Sequence, residues 1–195
     1  MSQRIRMVFA ALAGVLLLQG GAGDSPPEGM PLPSYTQDGA LRRPQGYETW
    51  MYVGASIGLS YADNTTRRPP GLFHNVFMQR EAFEHYRRTG RFPEKTMFAL
   101  ALHEPRQKQS INRDGYFQGG LEALEIALKD SERHPDGWVY YDFGGGDLKA
   151  TSTPFPKDRC FNCHRQNGED DNVFVQFYPV LRRVRAERAK SPARK

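Results

Sequence analysis

Only two cysteines occur in 195 residues, and they stand three apart as Cys160 and Cys163. That scarcity excludes a small fold stapled by several disulfides. No apolar run reaches the roughly 20 residues of an ordinary membrane span, since the longest, Met7 to Leu18, is too short. No acidic residue precedes Asp24, and no methionine follows His164. No internal repeat is found, so nothing points to a solenoid or propeller. The net charge of +5 and pI near 9.3 invite a nucleic-acid reading, but the charge is unevenly placed. The first 23 residues contribute +2, and 182–195 contribute +6 from seven basic residues against Glu187, leaving the body at −3. A mildly acidic body excludes the broad basic surface that phosphate backbones require.

The two cysteines belong to Cys160-Phe161-Asn162-Cys163-His164. In this C-x-x-C-H pattern two thiols bond to the vinyl groups of a haem and the histidine ligates its iron. The spacing has a mechanical basis: residues three and four apart on a helical turn share one face, so all three side chains can address one macrocycle. A redox disulfide and half of a zinc site are the alternatives. Neither explains a histidine directly after the second cysteine, and His74, His85, His103 and His134 each stand alone without the paired spacing of zinc ligands. The expected cofactor is one covalent haem c per chain.

Arg4 and Arg6, the apolar run from Met7 and the small residues Gly20 to Gly23 read as a secretory signal peptide over 1–23. An uncleaved anchor is the alternative. Export to the periplasm or outside the cell agrees with haem attachment, because a lone cysteine pair in an oxidising compartment tends to close. Residues 24–46, with Pro26, Pro27, Pro31, Pro33 and Pro44, form a Pro/Gly-rich linker or wrapped arm. Residues 47–181 are a single domain-sized body, and 182–195 a basic tail. Such a tail is read first as solvated, although it could steer an acidic redox partner or touch anionic lipid headgroups.

Trp50 to Val53, Phe73 to Met78 and Gly137 to Phe143 are rich in aromatic and β-branched residues and read as strands. Gln79 to Thr89 carries Ala82, Phe83 and Tyr86 on one helical face, Arg87 and Arg88 in its last turn, and Gly90 as its stop. Thr96 to Leu102 and Leu121 to Lys129 fit helix or strand equally. Pro105 to Asp114 is a loop, and Gly144 to Gly146 a break. Asp158 stands where it could cap the helix of the haem motif. The expected fold is α+β: a β-rich body with a few short helices and the haem attached near the C-terminus.

Common small cytochromes c are helical and draw a methionine ligand from downstream of the motif. Here Met51, Met78 and Met97 all lie upstream, in strand-like segments where packing is their expected use. An iron with one strong protein ligand keeps an open face, which favours binding or transforming a small molecule over simple electron transfer. His74 and Tyr140 are polar groups on expected strands that a haem could use.

Tyr47-x-x-Trp50, His74-Asn75-Val76-Phe77, Thr89-Gly90-Arg91-Phe92, Thr96-Met97-Phe98, Lys129-Asp130, Gly137-Trp138 and a terminal C-x-x-C-H followed by Asn167-Gly168, Asp171 to Phe174 and Gln176 to Leu181 form a pattern. It resembles the cytochrome P460 family, which includes the β-type cytochromes c′. The resemblance covers roughly Gly46 to Arg182. It implies a periplasmic, homodimeric, mainly antiparallel β protein with haem bonded through Cys160 and Cys163, His164 as iron ligand, and an open site for hydroxylamine or nitric oxide. The hydroxylamine-oxidising members carry a lysine joined to the haem, within Thr-x-x-x-Lys-Glu-Leu. Here that stretch is Thr96 to Leu102, with Leu100 at the lysine position and Lys95 and Lys108 outside it. The resemblance therefore implies an uncross-linked site, walled by Leu100 and Phe98, that binds nitric oxide or handles small nitrogen species with a redox partner protein. Because strand faces alternate, Phe98 and Leu100 should share one side; plain core packing is the alternative for both.

Overall fold

A computed structural model describes residues 24–60 and 69–190. The signal-peptide reading of 1–23 and the last five tail residues lie outside the described residues. The fold is α+β. Its centre is a five-stranded antiparallel sheet of β2 (Met51–Ile57), β3 (Phe73–Met78), β4 (Met97–Arg106), β5 (Phe117–Lys129) and β6 (Trp138–Asp142), in that spatial order. A small second sheet pairs β1 (Leu41–Arg42) with β7 (Thr151–Ser152). The helices are α1 (Arg80–Thr89), α2 (Phe161–Asn167) and α3 (Pro179–Lys190).

Each sheet strand pairs with its neighbour in sequence, so short-range connections build the whole sheet. The two ambiguous segments are strands because the sheet has two buried faces for their alternating side chains. Met97, Ala99, Ala101, Leu124, Ile126 and Leu128 pack on one face with Leu41, Tyr47, Val139, Tyr141 and Phe143. Each large side chain removed from water there stabilises the fold by about 1.5–3 kcal/mol. Phe98, Val76, Met78, Trp138 and Tyr140 point to the other face, under α1, α2 and α3. β4 also continues to Arg106, into what reads as a loop from Pro105.

The proline-rich arm wraps onto the body, with Met30 packed in the second-face core and Leu41 in the first. Tyr35 bridges to Leu41, and its hydroxyl donates to Asp130 at 2.7 Å. Asp130 is fully buried and also accepts from Lys95. Burial would raise its carboxyl, but the hydrogen bonds from Lys95 and Tyr35 outweigh that and hold it low.

α1 ends at Gly90, whose φ of 76° is left-handed and whose N–H donates to the Tyr86 carbonyl at 2.7 Å. A side chain at Gly90 would collide with Arg188, which donates to the carbonyls of Arg88 and Thr89. Arg188 belongs to α3, so much of the basic segment is helical and docked. Leu181 and Val184 are buried beneath it, one turn apart. Sequence counting sees seven basic residues; the two apolar positions at helical spacing decide the structure.

Candidate functional site

Between the second sheet face and α2 lies a cavity of about 550 Å³, within the usual range for cofactor sites. Its floor is set by strand register. Tyr140, Ala127, Phe98 and Met78 are cross-strand partners in one row, and Asp142, Glu125, Leu100 and Val76 in the next. Ala127 is the small member of its row, and the floor is hollow above it. Phe98, Leu100, Cys160, Cys163 and His164 all line this one cavity. The strand alternation places Phe98 and Leu100 on the same side as expected, while Met97 packs into the opposite core.

α2 starts at Phe161 with Cys160 as its N-terminal cap residue and no side-chain capping bond. Asp158 therefore does not cap it, because the chain from Lys157 to Cys160 forms a turn before the helix begins. Cys160 and Cys163 are free and half-buried. Burial pushes the Cys160 thiol up to about 11, with the charge of Glu125 adding to the effect. The described residues contain no group of three or more His, Cys, Asp or Glu side chains arranged for a metal, so nothing among them completes a zinc site around the pair.

The His164 imidazole is held on three sides. The Tyr140 ring lies 4.5 Å away and the Phe174 ring 4.3 Å, both tilted by about 45°. Nδ1 is 2.9 Å from the Asn172 carbonyl oxygen. A carbonyl only accepts, so Nδ1 carries the proton and Nε2 keeps its lone pair. Burial lowers the His164 pKa, against the opposing pull of that hydrogen bond, and a neutral imidazole is the ligating form.

Phe98 is fixed by rings: Phe92 at 5.5 Å, Trp138 at 6.0 Å and Tyr178 at 6.3 Å. Leu100 is half-buried beside Glu125. No methionine and no lysine appear among the described residues that line the cavity. Lys95 is engaged with Asp130 and Glu132 instead. Sequence reasoning missed Glu125, the one carboxylate among the described residues of the wall, and Arg159 near it. Burial raises the Glu125 pKa and Asp142 raises it further, while Arg159 pulls the other way. The available signal was the alternation Leu124, Ile126, Leu128, which puts Glu125 on the opposite face once the segment is a strand.

A family model for cytochrome P460 matches residues 44–175. The chain belongs to the cytochrome P460 family. Membership implies a haem cofactor, and the chain's residues fit one. The cavity is large, mostly apolar and fronted by a neutral histidine with an available nitrogen. The Tyr140 hydroxyl, buried in its wall, is the one side-chain polar atom among the described residues that is buried without a hydrogen-bond partner. Burial raises its pKa strongly, so it stays neutral. No curated protein matches the chain.

Proposed function

We propose that the chain is an exported mono-haem c-type cytochrome whose open site takes small nitrogen species, nitric oxide first. The observation that carries this reading is the convergence of Phe98, Leu100, Cys160, Cys163 and His164 on one cavity with no methionine among the described residues of its wall. Cys160 and Cys163 would hold the haem through thioether bonds, each thiol's S–H going across one vinyl double bond so that no oxidant is needed. His164 would hold the iron through Nε2, its ring oriented by the Asn172 carbonyl at Nδ1. When bound, the haem supplies a redox-active iron with a position for a diatomic ligand.

The chain's residues determine what that position meets. Phe98 and Leu100 present an apolar wall that admits a small uncharged ligand and excludes water. Leu100 offers no amine for a covalent bond to the ring, and no lysine is among the described residues of the wall, so gas binding is favoured over hydroxylamine oxidation. Glu125, with its raised pKa, is the group that could accept or release a proton at its carboxylate oxygens.

A non-enzymatic electron carrier is the second reading, and His74 favours it as the other imidazole in the cavity wall. Optical spectra of the mature protein, from a host that matures c-type haem, test both readings. Open-site binding predicts a high-spin spectrum, ordinary haem c in denaturing pyridine, and a new species when nitric oxide meets the reduced protein. A low-spin iron that ignores the gas, and turns high-spin in His74→Ala, establishes the carrier. A red-shifted ferrous band surviving denaturation means a cross-link despite Leu100 and restores hydroxylamine oxidation.

The signal-like start supports a periplasmic or secreted location, and the basic residues exposed on α3 support an acidic redox partner or contact with anionic lipid. Homodimerisation is supported by family resemblance. We assign one haem per chain, since only one C-x-x-C-H occurs.

A further inference from the structure

The carbonyl that orients His164 belongs to an unusual turn. Asp170 and Val173 pair across it, with Val173 N–H donating to the Asp170 carbonyl at 2.8 Å. The two residues between them, Asp171 and Asn172, have φ of 45° and 60°, the sign pattern of a type I′ turn without its usual glycine. Asp and Asn tolerate this conformation better than other side chains, yet it must still be held. Gly168 makes room, since a Cβ there would lie 2.6 Å from the Asn172 carbonyl carbon.

Three side chains grip the turn. Lys129 Nζ, from the end of β5, donates to Asp171 Oδ2 at 2.7 Å and also to the Phe92 carbonyl at 2.9 Å. Trp138 Nε1, from β6, donates to the other Asp171 oxygen at 3.1 Å. The Tyr86 hydroxyl, from α1, donates to Asp170 at 2.7 Å. Asp171 thus uses both carboxylate oxygens to fasten the turn to two adjacent strands, and the residue after it presents its carbonyl to His164 Nδ1 at 2.9 Å.

We propose that Asp171 is a positioning residue for His164: clamped by Lys129 and Trp138, it sets the direction and strength of the Nδ1–H hydrogen bond, and through it how strongly Nε2 donates to iron. A strong, well-aligned bond to Nδ1 raises the basicity of the opposite nitrogen, stabilising the oxidised iron. The Phe174 and Tyr140 rings restrict the imidazole's tilt but make no such bond, so the basicity is governed through the turn. The proposal rests on the reading of His164 as the iron ligand.

The test uses the reduced holoprotein and reads the iron–histidine stretch by resonance Raman together with the reduction potential. Asp171→Ala should shift that stretch to lower frequency, broaden it, and raise the potential. Asp171→Asn, which keeps an acceptor for Trp138 but loses the charge facing Lys129, should give the same shifts in smaller measure. Lys129→Met should follow Asp171→Asn, and Lys129→Arg should stay close to the parent. Tyr35→Phe, which removes a hydrogen bond to Asp130 away from the turn, should lower stability without moving either signal. If the Asp171 variants fold with lowered stability but an unchanged stretch and potential, Asp171 only braces the loop and the proposal falls. If neither the parent nor His74→Ala, which removes the other imidazole of the described wall, shows an iron–histidine stretch, the ligand reading fails first and takes the proposal with it.

Discussion

Replacing Tyr140 with phenylalanine removes one oxygen and leaves the ring, so the contact with His164 at 4.5 Å survives and no large cavity forms. Tyr140 is 7% exposed and its hydroxyl has no partner among the described residues. A buried hydroxyl left without a partner costs about 1–3 kcal/mol, whereas one that is satisfied contributes about 0.5–1.5 kcal/mol net. The sign of the substitution therefore reports whether the filled cavity supplies an acceptor, either on the occupant or on a water trapped beside it. We expect it does, because native structures rarely leave such a group unpaired. Tyr140→Phe should then destabilise the holoprotein by about 0.5–1.5 kcal/mol. In a domain of this size each kcal/mol lowers the melting temperature by about 2–4 °C. Denaturant unfolding followed by far-ultraviolet circular dichroism gives the free energy directly, and an unchanged denaturant slope certifies that the comparison is fair. A variant more stable than the parent by 1 kcal/mol or more, on the order of the unsatisfied-hydroxyl cost, would refute the reasoning.

Two further outcomes follow from charged groups. Burial raises the Glu125 pKa above its ordinary 4.5, so its ionised form costs stability that grows as pH rises through the folded value. Glu125→Gln should raise the melting temperature of the holoprotein near neutral pH and converge with the parent in acid; an equal gain at both ends would show that its charge is irrelevant. Asp24 is held down to about 2 from 3.8, mainly by hydrogen bonds from Arg91 and then His85. Its contribution is present above the unfolded value and lost as pH falls through the folded one, so Asp24→Asn should lower stability at neutral pH and flatten the loss between about pH 4 and pH 2. A parallel acid profile for variant and parent would sink this account.

Much of the frame was legible because local chemistry and tertiary packing agree. β3 runs from Phe73 to Met78 and α1 stops at Gly90, as the residues indicate. β4 and β5 were not legible alone: Leu121, Leu124 and Leu128 satisfy a helical stripe, and only a sheet with two buried faces selects the strand. α3 was hidden for the opposite reason. Its arginines dominate composition, while its attachment depends on Leu181, Val184 and the Arg188 bonds to the end of α1, and those partners lie about 100 residues away in sequence. For the site, the spacing of Cys160, Cys163 and His164 singled out three residues that the fold brings to one cavity. The family resemblance, through its threonine-led strand, pointed to Phe98 and Leu100. Glu125 escaped notice because its neighbours Leu124 and Ile126 drew the eye to the other face, and a cavity formed by register across four strands has no local signature.

The site is asymmetric in how its polar groups are satisfied, and that asymmetry bears on its chemistry. On the histidine side, Nδ1, the turn carbonyl, both Asp171 oxygens and the Tyr86 hydroxyl are all paired, so little can rearrange there. On the sheet side the wall is Phe98, Leu100, Val76 and Leu102, which offer shape but no hydrogen bonds. Polar capacity in the sheet is concentrated at Glu125 and Tyr140, on adjacent rows of β5 and β6, with His74 toward the other edge on β3. A ligand approaching the iron from the apolar wall would be discriminated by size and charge, since an ion would exchange its hydration for contacts that cannot replace it. Among the described residues of the wall, Glu125 and His74 are the groups suited to pass a proton that the chemistry requires. Binding a neutral diatomic needs none, while oxidising a protonated nitrogen substrate needs several. Among the described residues the wall holds one carboxylate and no amine, which supports the proposed binding of a neutral diatomic over oxidation of a nitrogen substrate.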